Sequence, residues 1–325
     1  MPPRPLRPAI RAVRTGLRST IRKSARARRL VDVVAHELDN ALEDAHNEDD
    51  FYGARYYGVG RRPGRGQLSG YEVYDRHTSH ANKHAYLLWK HFDVQHTLDV
   101  GCALGFVVEA LRELGIDAEG IDVSEFAIAN ANKGAKGHVR VGSLLDRLPC
   151  EDASFDLVTA IETLEHLEPE TVPHALSELR RITRRFLVAT IPSFGPNEHG
   201  PDGWLDGKVL PSRLDHYRSL GPSYEGPVAF DDLERDEEGN PVEGHLTIAS
   251  FSWWTQRFNE AGFERCPEME KKVHDELARF GLTGFFDPYV LMVPGASLPE
   301  GPIRSAEELA KAERRFKLAE ASTTP

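Results

Sequence analysis

Between residues 96 and 193 short apolar runs alternate with amphipathic stretches of helical period. "HTLDVG" reads as a strand, 105–115 as a helix, "AEGID" as a strand and 124–133 as a helix opened by Ser124. "HVRVG" and "FDLVTAI" read as strands, 170–184 as a helix and "RFLVATIP" as a strand. Strands spaced by helices lie parallel with right-handed crossovers, so the pattern predicts an α/β, doubly wound sheet. After Ser193 the alternation stops. Residues 194–246 are rich in Gly, Pro, Asp and aromatics, with turn signals at "PNEHGPDG" and "DEEGNP", and are expected to form an inserted substrate lid. Beyond it, "TIASFSWWTQRFNEAGF" predicts a helix capped near Ser250 or Ser252, "FERCPEMEK" a strand and "DPYVLMVPG" a closing strand.

The expected organisation is a tail over 1–30, a helical and aromatic segment over 31–95 and a core over 96–193. The lid over 194–246, the rest of the fold over 247–295 and a charged helix or tail over 296–325 follow. The second segment holds a polar helix from Leu30 to about Asp50, a Tyr/Gly/Arg-rich stretch and a helix near His80 to Phe92. Aromatic, glycine-rich lead-ins of this kind fold over ligands or serve as surface loops.

Composition supports this picture without adding chemistry. The 325 residues are 40% hydrophobic and 28% charged, and no apolar run approaches the roughly 20 residues of a membrane span, so a soluble, cytoplasmic protein is expected. Three scattered cysteines form no CxxC pair, which disfavours thiolate zinc, and Cys102 lies inside a glycine turn where a small packing residue is wanted.

Charge does change the picture. Residues 1–30 carry nine Arg, one Lys and no acid, about +10, which leaves about −21 on the remainder of a chain whose net charge is −11. Ile10, Val13, Leu17 and Ile21 recur at helical spacing among those arginines. That pattern fits a basic amphipathic helix on an anionic membrane surface, which would make the protein peripheral to the membrane. A disordered basic tail and a transit peptide share the composition.

The candidate chemistry begins at "LDVGCALG". A glycine turn between a strand and a helix lets a ligand approach the backbone, and the helix offers free N–H groups. A dinucleotide turn reads GxGxxG; here Gly101, Ala103 and Gly105 form GxAxG behind Asp99, with Asp122 ending the next strand. That arrangement points to a ligand with an ammonium and a carboxylate in place of a pyrophosphate.

As a set, these motifs resemble the class I S-adenosylmethionine-dependent methyltransferases, in the broad group of small-molecule and sugar methyltransferases. Asp99 to Gly105 matches their D/E-x-G-x-G-x-G motif with Ala103 for the middle Gly, and Asp122 their ribose-binding acid. "LPCEDASFDLVTAIETLEHL" and "LRRITRRFLVATIP" match the later strands, so the likeness covers about 96–193 well and 247–295 loosely. The resemblance implies a Rossmann-like fold, S-adenosyl-L-methionine as cofactor, and a cofactor site of Asp99, Gly101, Ala103, Gly105, Asp122, Val123, Ser143, Leu144 and Glu162. An acid that family members often carry near the adenine is replaced here by "VGSLLD", leaving Ser143 and Leu144 at that point.

For the acceptor side, a hydroxyl nucleophile needs its proton removed. His199, in the loop after strand five, is the first candidate base, followed by His166 and His216. Glu162, Glu165 and His166 also spell ExxEH. This is similar to the metal-binding ExxEH of ubiquinone-biosynthesis O-methyltransferases and small-RNA 2′-O-methyltransferases, with Mg²⁺ as the cation implied and His199 or His245 as further ligands. Segments of this kind also occur in metal-free members. The sequence puts His199 ahead of the metal route because of its place in the loop. Trp204, Tyr217 and Tyr224 are expected either to line a sugar or aromatic acceptor or to pack the lid.

The expected function is O-methylation of a small-molecule acceptor: a sugar, glycolipid precursor or secondary metabolite. The alternatives are a metal-assisted RNA-ribose 2′-O-methyltransferase and a non-catalytic membrane-associated cofactor-binding protein. The acidic body disfavours nucleic acid as partner, because phosphates are held by Lys and Arg. A nicotinamide dehydrogenase is disfavoured by the missing third glycine.

Overall fold

The computed structural model describes residues 52–53, 56–57, 74–195, 207–220, 224–235, 239–282, 287–298 and 303–318. The expectations for residues 1–30, for the helix at 30–50, and for His199 and Trp204 lie outside them. No helix among the described residues is long and apolar enough to cross a membrane.

Seven strands form one sheet: β1 (His96–Val100), β2 (Asp117–Asp122), β3 (Val139–Val141), β4 (Phe155–Ile161), β5 (Thr183–Ile191), β6 (Glu264–Arg265) and β7 (Asp287–Met292). Their order is β3-β2-β1-β4-β5-β7-β6. The first five run parallel, as the alternation predicts. β7 runs antiparallel between β5 and β6, an inversion that strand periodicity does not encode.

Helices cover both faces. On one, α1 (Ala81–His91), α2 (Phe106–Glu113), α7 (Pro267–Arg279) and α8 (Ala306–Phe316) join a core containing Leu88, Leu111, Leu277 and Phe316 with Leu157, Phe186 and Val290 from the strands. On the other, α4 (Val172–Ile182) and α6 (Phe251–Glu260) bury Leu176, Leu179, Trp254 and Phe258 against Leu98, Val158, Leu187 and Leu291. Neighbouring residues of each strand face opposite cores, as parallel sheets covered on both sides require.

Three elements depart from expectation. "FERCPEMEK" is not one strand: pairing stops at Arg265, and Pro267 opens a 13-residue helix. Proline suits a first helical turn because its missing N–H has no partner there anyway. Met269, Val273 and Leu277 then recur every fourth residue on the buried face. The helix expected over 124–133 is α3 (Glu125–Ala129). Ser124 caps it by accepting from Ala127 N at 3.0 Å. It ends early because the Asn130 amide donates to its own helix at Phe126 O (2.8 Å) and Asn132 N is drawn to Leu104 O (2.8 Å) in the glycine turn. Finally, α6 starts from Ser250, whose hydroxyl accepts from Trp253 N at 3.0 Å, so Ser250 rather than Ser252 is the cap.

The charged segment near the C-terminus forms α8, which braces the helices beside it. Tyr86 of α1 donates to Glu313 at 2.6 Å, Arg279 of α7 donates to the same oxygen at 2.9 Å, and Arg315 donates to Glu113 O at 2.8 Å. From the lid, α5 (Pro211–Ser219) packs Tyr217 with Phe194, Val209, Val228, Leu233 and Ile248 in a separate apolar cluster.

Candidate active site

A cavity of about 500 Å³ opens at the carboxyl ends of β1, β2 and β4. Open α/β sheets bind ligands there, where the strand order reverses. Here the reversal falls between β1 and β4.

The glycine turn forms its floor. Gly101 and Cys102 donate to Ile121 O (2.8 and 3.1 Å), and Gly105 N closes back on Cys102 O (2.8 Å). Gly101 has φ 76°, and a Cβ there would lie 2.3 Å from Thr163 Oγ1. Cys102 packs against Gly120, where a Cβ would meet its sulfur at 2.7 Å. Burial pushes its thiol up, so Cys102 is a packing residue. Ala103 has φ 49°, the left-handed conformation for which glycine is preferred.

Asp122 joins this turn to the next helix. Its Oδ2 accepts from Ala103 N at 2.7 Å and its Oδ1 from Ser124 N at 2.8 Å. Asp122 also lines the cavity, so its carboxylate stands at the strand end where a ligand would reach it. Asp99 lies behind the turn and takes the Thr159 hydroxyl at 2.7 Å. Burial pushes its carboxyl up to about 7, against that hydrogen bond and with a further push from Asp122.

Toward β3 the cavity wall is apolar. Val123 and Leu145 are each 52% exposed although large and hydrophobic, and both line the cavity with Ser143 and Leu144. Leu144 is itself buried, and Ser143 Oγ accepts from Leu145 N at 3.1 Å. Leu145, which the sequence reading passed over, therefore offers a flat ligand more open surface than Leu144.

Beyond β4 lies an acidic and imidazole cluster. Glu165 is fully buried, and neither of its carboxylate oxygens has a hydrogen-bond partner among the described residues. Ligand atoms of Glu165, His166 and His245 lie within 4.8 Å of one another. Glu162 lines the cavity beside them at φ 49°, with one buried oxygen unpartnered. Burial raises both carboxyls, and the charge of Glu165 raises that of Glu162 further. His166 Nδ1 lies 3.0 Å from Gly244 O; a carbonyl only accepts, so Nδ1 carries the proton and Nε2 keeps its lone pair. Burial lowers His166 to about 4, so its ring is neutral.

Several contributors are not singled out residue by residue in the sequence, although the aromatic stretch is of a kind able to fold over a ligand. Tyr52, Tyr56, Tyr57 and Tyr74 form an aromatic wall, with Tyr52 and Tyr56 edge-on to His166 at 5.8 and 6.4 Å. Ser124 Oγ donates to Tyr52 O at 2.7 Å, tying that wall to the Asp122 strand end. Ser79, His80 and His84, from the start of α1, also line the cavity. The aromatic composition of 51–75 was the available signal for the tyrosines; the isolated histidines gave none.

One other expectation fails, and one open alternative is decided. His216 is exposed on α5 and does not line the cavity, so the base role falls away from it. Tyr217 and Tyr224 also stay out of the cavity: they pack in the lid, Tyr224 stacked on Phe194 at 5.7 Å and Tyr217 donating to Asp232 at 2.7 Å.

The parallel sheet with one inverted strand, the glycine turn and the strand-end carboxylate define a nucleoside-cofactor domain of the class I S-adenosylmethionine-dependent methyltransferases. Residues 98–186 match a family model described as a methyltransferase domain, and that part of the chain is such a domain. The chain is 33% identical over 90 residues to a ubiquinone biosynthesis O-methyltransferase of Azoarcus sp. (strain BH72), covering 26% of this chain and 39% of that protein. It is 31% identical over 144 residues to the protein of that description from Idiomarina loihiensis, covering 39% of this chain and 56% of the relative. The match thus spans about two fifths to just over half of these relatives. Among solved structures, a magnesium protoporphyrin IX methyltransferase from Synechocystis PCC 6803 with bound SAH is similar at 16% identity and TM-score 0.44, covering 78% of this chain and 99% of that one.

Proposed function

We propose that the protein is an S-adenosylmethionine-dependent O-methyltransferase whose acceptor hydroxyl is presented by a divalent cation at Glu162, Glu165, His166 and His245. The observation that carries this reading is the buried Glu165 carboxylate, whose two oxygens lack donors while two imidazoles stand within 4.8 Å. A buried carboxylate without donors is costly, and a cation among oxygen and nitrogen ligands removes that cost. The donor set therefore fits the group. Mn²⁺ and similar first-row cations, which accept imidazole, suit it better than Mg²⁺, whose preference is for oxygen ligands; His245, named as a further ligand from the sequence, lies in the group.

In this reading Asp122 accepts the ribose hydroxyls of the cofactor, Val123 and Leu145 pack on its base, and Asp99 faces its ammonium end behind the turn. The cofactor supplies an electrophilic sulfonium methyl. The cation, when bound, acidifies a coordinated hydroxyl. The neutral His166, with Nδ1 committed to Gly244 O, holds its Nε2 lone pair toward the cluster. The tyrosine wall keeps water from the nucleophile, which favours in-line attack. A cavity lined by carboxylates and phenols favours an uncharged, hydroxyl-bearing small molecule, in keeping with a sugar, glycolipid precursor or secondary metabolite.

The test is to incubate the protein with S-adenosylmethionine and a panel of phenols, catechols and glycosides, with Mg²⁺, with Mn²⁺ and with chelator, and to read the mass gain of one methyl group. Methylation that chelation stops and Mn²⁺ restores is the expected result. Full activity in chelator overturns the cation and returns the base role to His199.

A further inference from the structure

We propose that Lys208 is a positioning residue for the cation site, acting through Glu243 to fix the turn that aims His166 and His245. The inference rests on the cation reading above. Lys208 is 6% exposed, a rare environment for an ammonium, and it forms an ion pair with Glu243, which reaches the cavity wall. Glu243 stands at φ 57°, ψ 8°, and Gly244 at φ 75°, so two successive left-handed residues make a sharp corner. A non-glycine residue holds that conformation only where its surroundings enforce it. The ion pair is one enforcing contact; a backbone relay is another, since Glu234 N donates to Lys208 O at 2.9 Å and Val242 N to Glu234 O at 3.0 Å.

The corner controls three members of the cluster. Gly244 O receives the His166 Nδ1 proton at 3.0 Å, which sets the tautomer that leaves Nε2 open. His245 follows directly, its Nε2 3.9 Å from both Glu165 and Glu243. Leu246 N and Thr247 N then donate to Glu165 O at 2.8 and 2.9 Å, pinning the backbone of the unpartnered carboxylate. Lys208 and His245 thus flank one carboxylate oxygen: Oε2 of Glu243 pairs with the ammonium and stands 3.9 Å from the imidazole. Without the ammonium, that oxygen is free to close further on the imidazole and the corner loses its clamp. The pair sits in the inserted segment, so the lid completes the cation site as well as flanking it.

The experiment compares wild type, Lys208→Met, Lys208→Arg and Glu243→Gln. It reads Mn²⁺ binding by calorimetry, the visible spectrum of the Co²⁺-loaded protein, and S-adenosylhomocysteine binding as a check on the fold. The expected result is at least tenfold weaker Mn²⁺ binding and an altered Co²⁺ spectrum in Lys208→Met and Glu243→Gln. Lys208→Arg should recover most of the loss, and S-adenosylhomocysteine affinity should be unchanged. If Lys208→Met does not fold, Lys208→Gln takes its place beside Glu243→Gln, because a Lys208 variant is needed to separate positioning from ligation. Wild-type Mn²⁺ affinity and spectrum in the folded variants overturn the inference while leaving the cation site standing. So does a Glu243→Gln protein that loses Mn²⁺ while Lys208→Met keeps it, because Glu243 would then be a ligand. A wild-type protein that takes up neither ion removes the cation reading and this inference together.

Discussion

Asp122 and Ala103 hold the cofactor turn closed: a strand-end carboxylate oxygen accepts the backbone N–H of the residue standing where the family pattern has its middle glycine, at 2.7 Å. Asp122→Ala removes this bond and the acceptor proposed for the ribose hydroxyls. S-adenosylhomocysteine binding is expected to weaken by about 1.5–3 kcal/mol, the range for hydrogen bonds to a charged group. Calorimetry on a variant with native circular dichroism checks this, and unchanged affinity would remove Asp122 from the cofactor site.

Gly101 should tolerate no side chain. Its φ of 76° is strained for other residues, and a Cβ would collide with Thr163, whose hydroxyl donates to Val100 O at 3.2 Å. Gly101→Ala is expected to cost about 1–3 kcal/mol of stability from backbone strain alone. Urea unfolding measures it.

Asp99 gives the fold a pH dependence whose sign follows from its raised carboxyl. The native state holds this proton up to about pH 7 and the unfolded chain only to about 3.8, so the native state binds more protons between those values. Stability therefore falls as pH rises across that window and levels off above it. Asp99→Asn still accepts from Thr159 and should flatten the profile between pH 5 and 7.5. A profile identical to wild type would show that Asp99 titrates normally.

Glu165 should trade stability for function. Burial raises its carboxyl to about 8, so at neutral pH the cation-free native state must hold a proton there that the unfolded chain has released, and Glu165→Gln, which needs no proton, is expected to raise stability there by about 1–3 kcal/mol. The same variant should lose the increase in melting temperature that Mn²⁺ gives wild type. A thermal scan with and without the ion reads both effects, and a destabilised variant would mean that Glu165 is structural.

Much of the core was legible because its elements repeat a local rule. Asp99, the glycine turn and Asp122 each announce themselves by residue type at the end of an apolar run, and the structure brings all of them to one cavity. What was lost depended on contacts distant in sequence. The length of α3 is set by Leu104, and β7 takes its direction in pairing with β5, whose partner residues lie about a hundred positions earlier. Pro267 in "CPEM" was readable as a helix opener but sat inside "FERCPEMEK", which was expected to be one strand. Tyr217 and Tyr224 could not be divided between ligand and packing roles, because aromatic faces serve both equally. Lys208 carried no signal at all: a lone lysine in a glycine-rich segment looks solvated until the fold buries it.

The brace made by α8 has a consequence for biosynthesis. Glu313 and Arg315 clasp α1, α2 and α7, and α1 and α2 begin at the cavity wall. On a ribosome the glycine turn is made some two hundred residues before this clasp. A nascent chain halted before residue 306 therefore carries every cavity-lining residue named above with α1 unfastened from α8, and is a better target for chaperones and proteases than the completed chain.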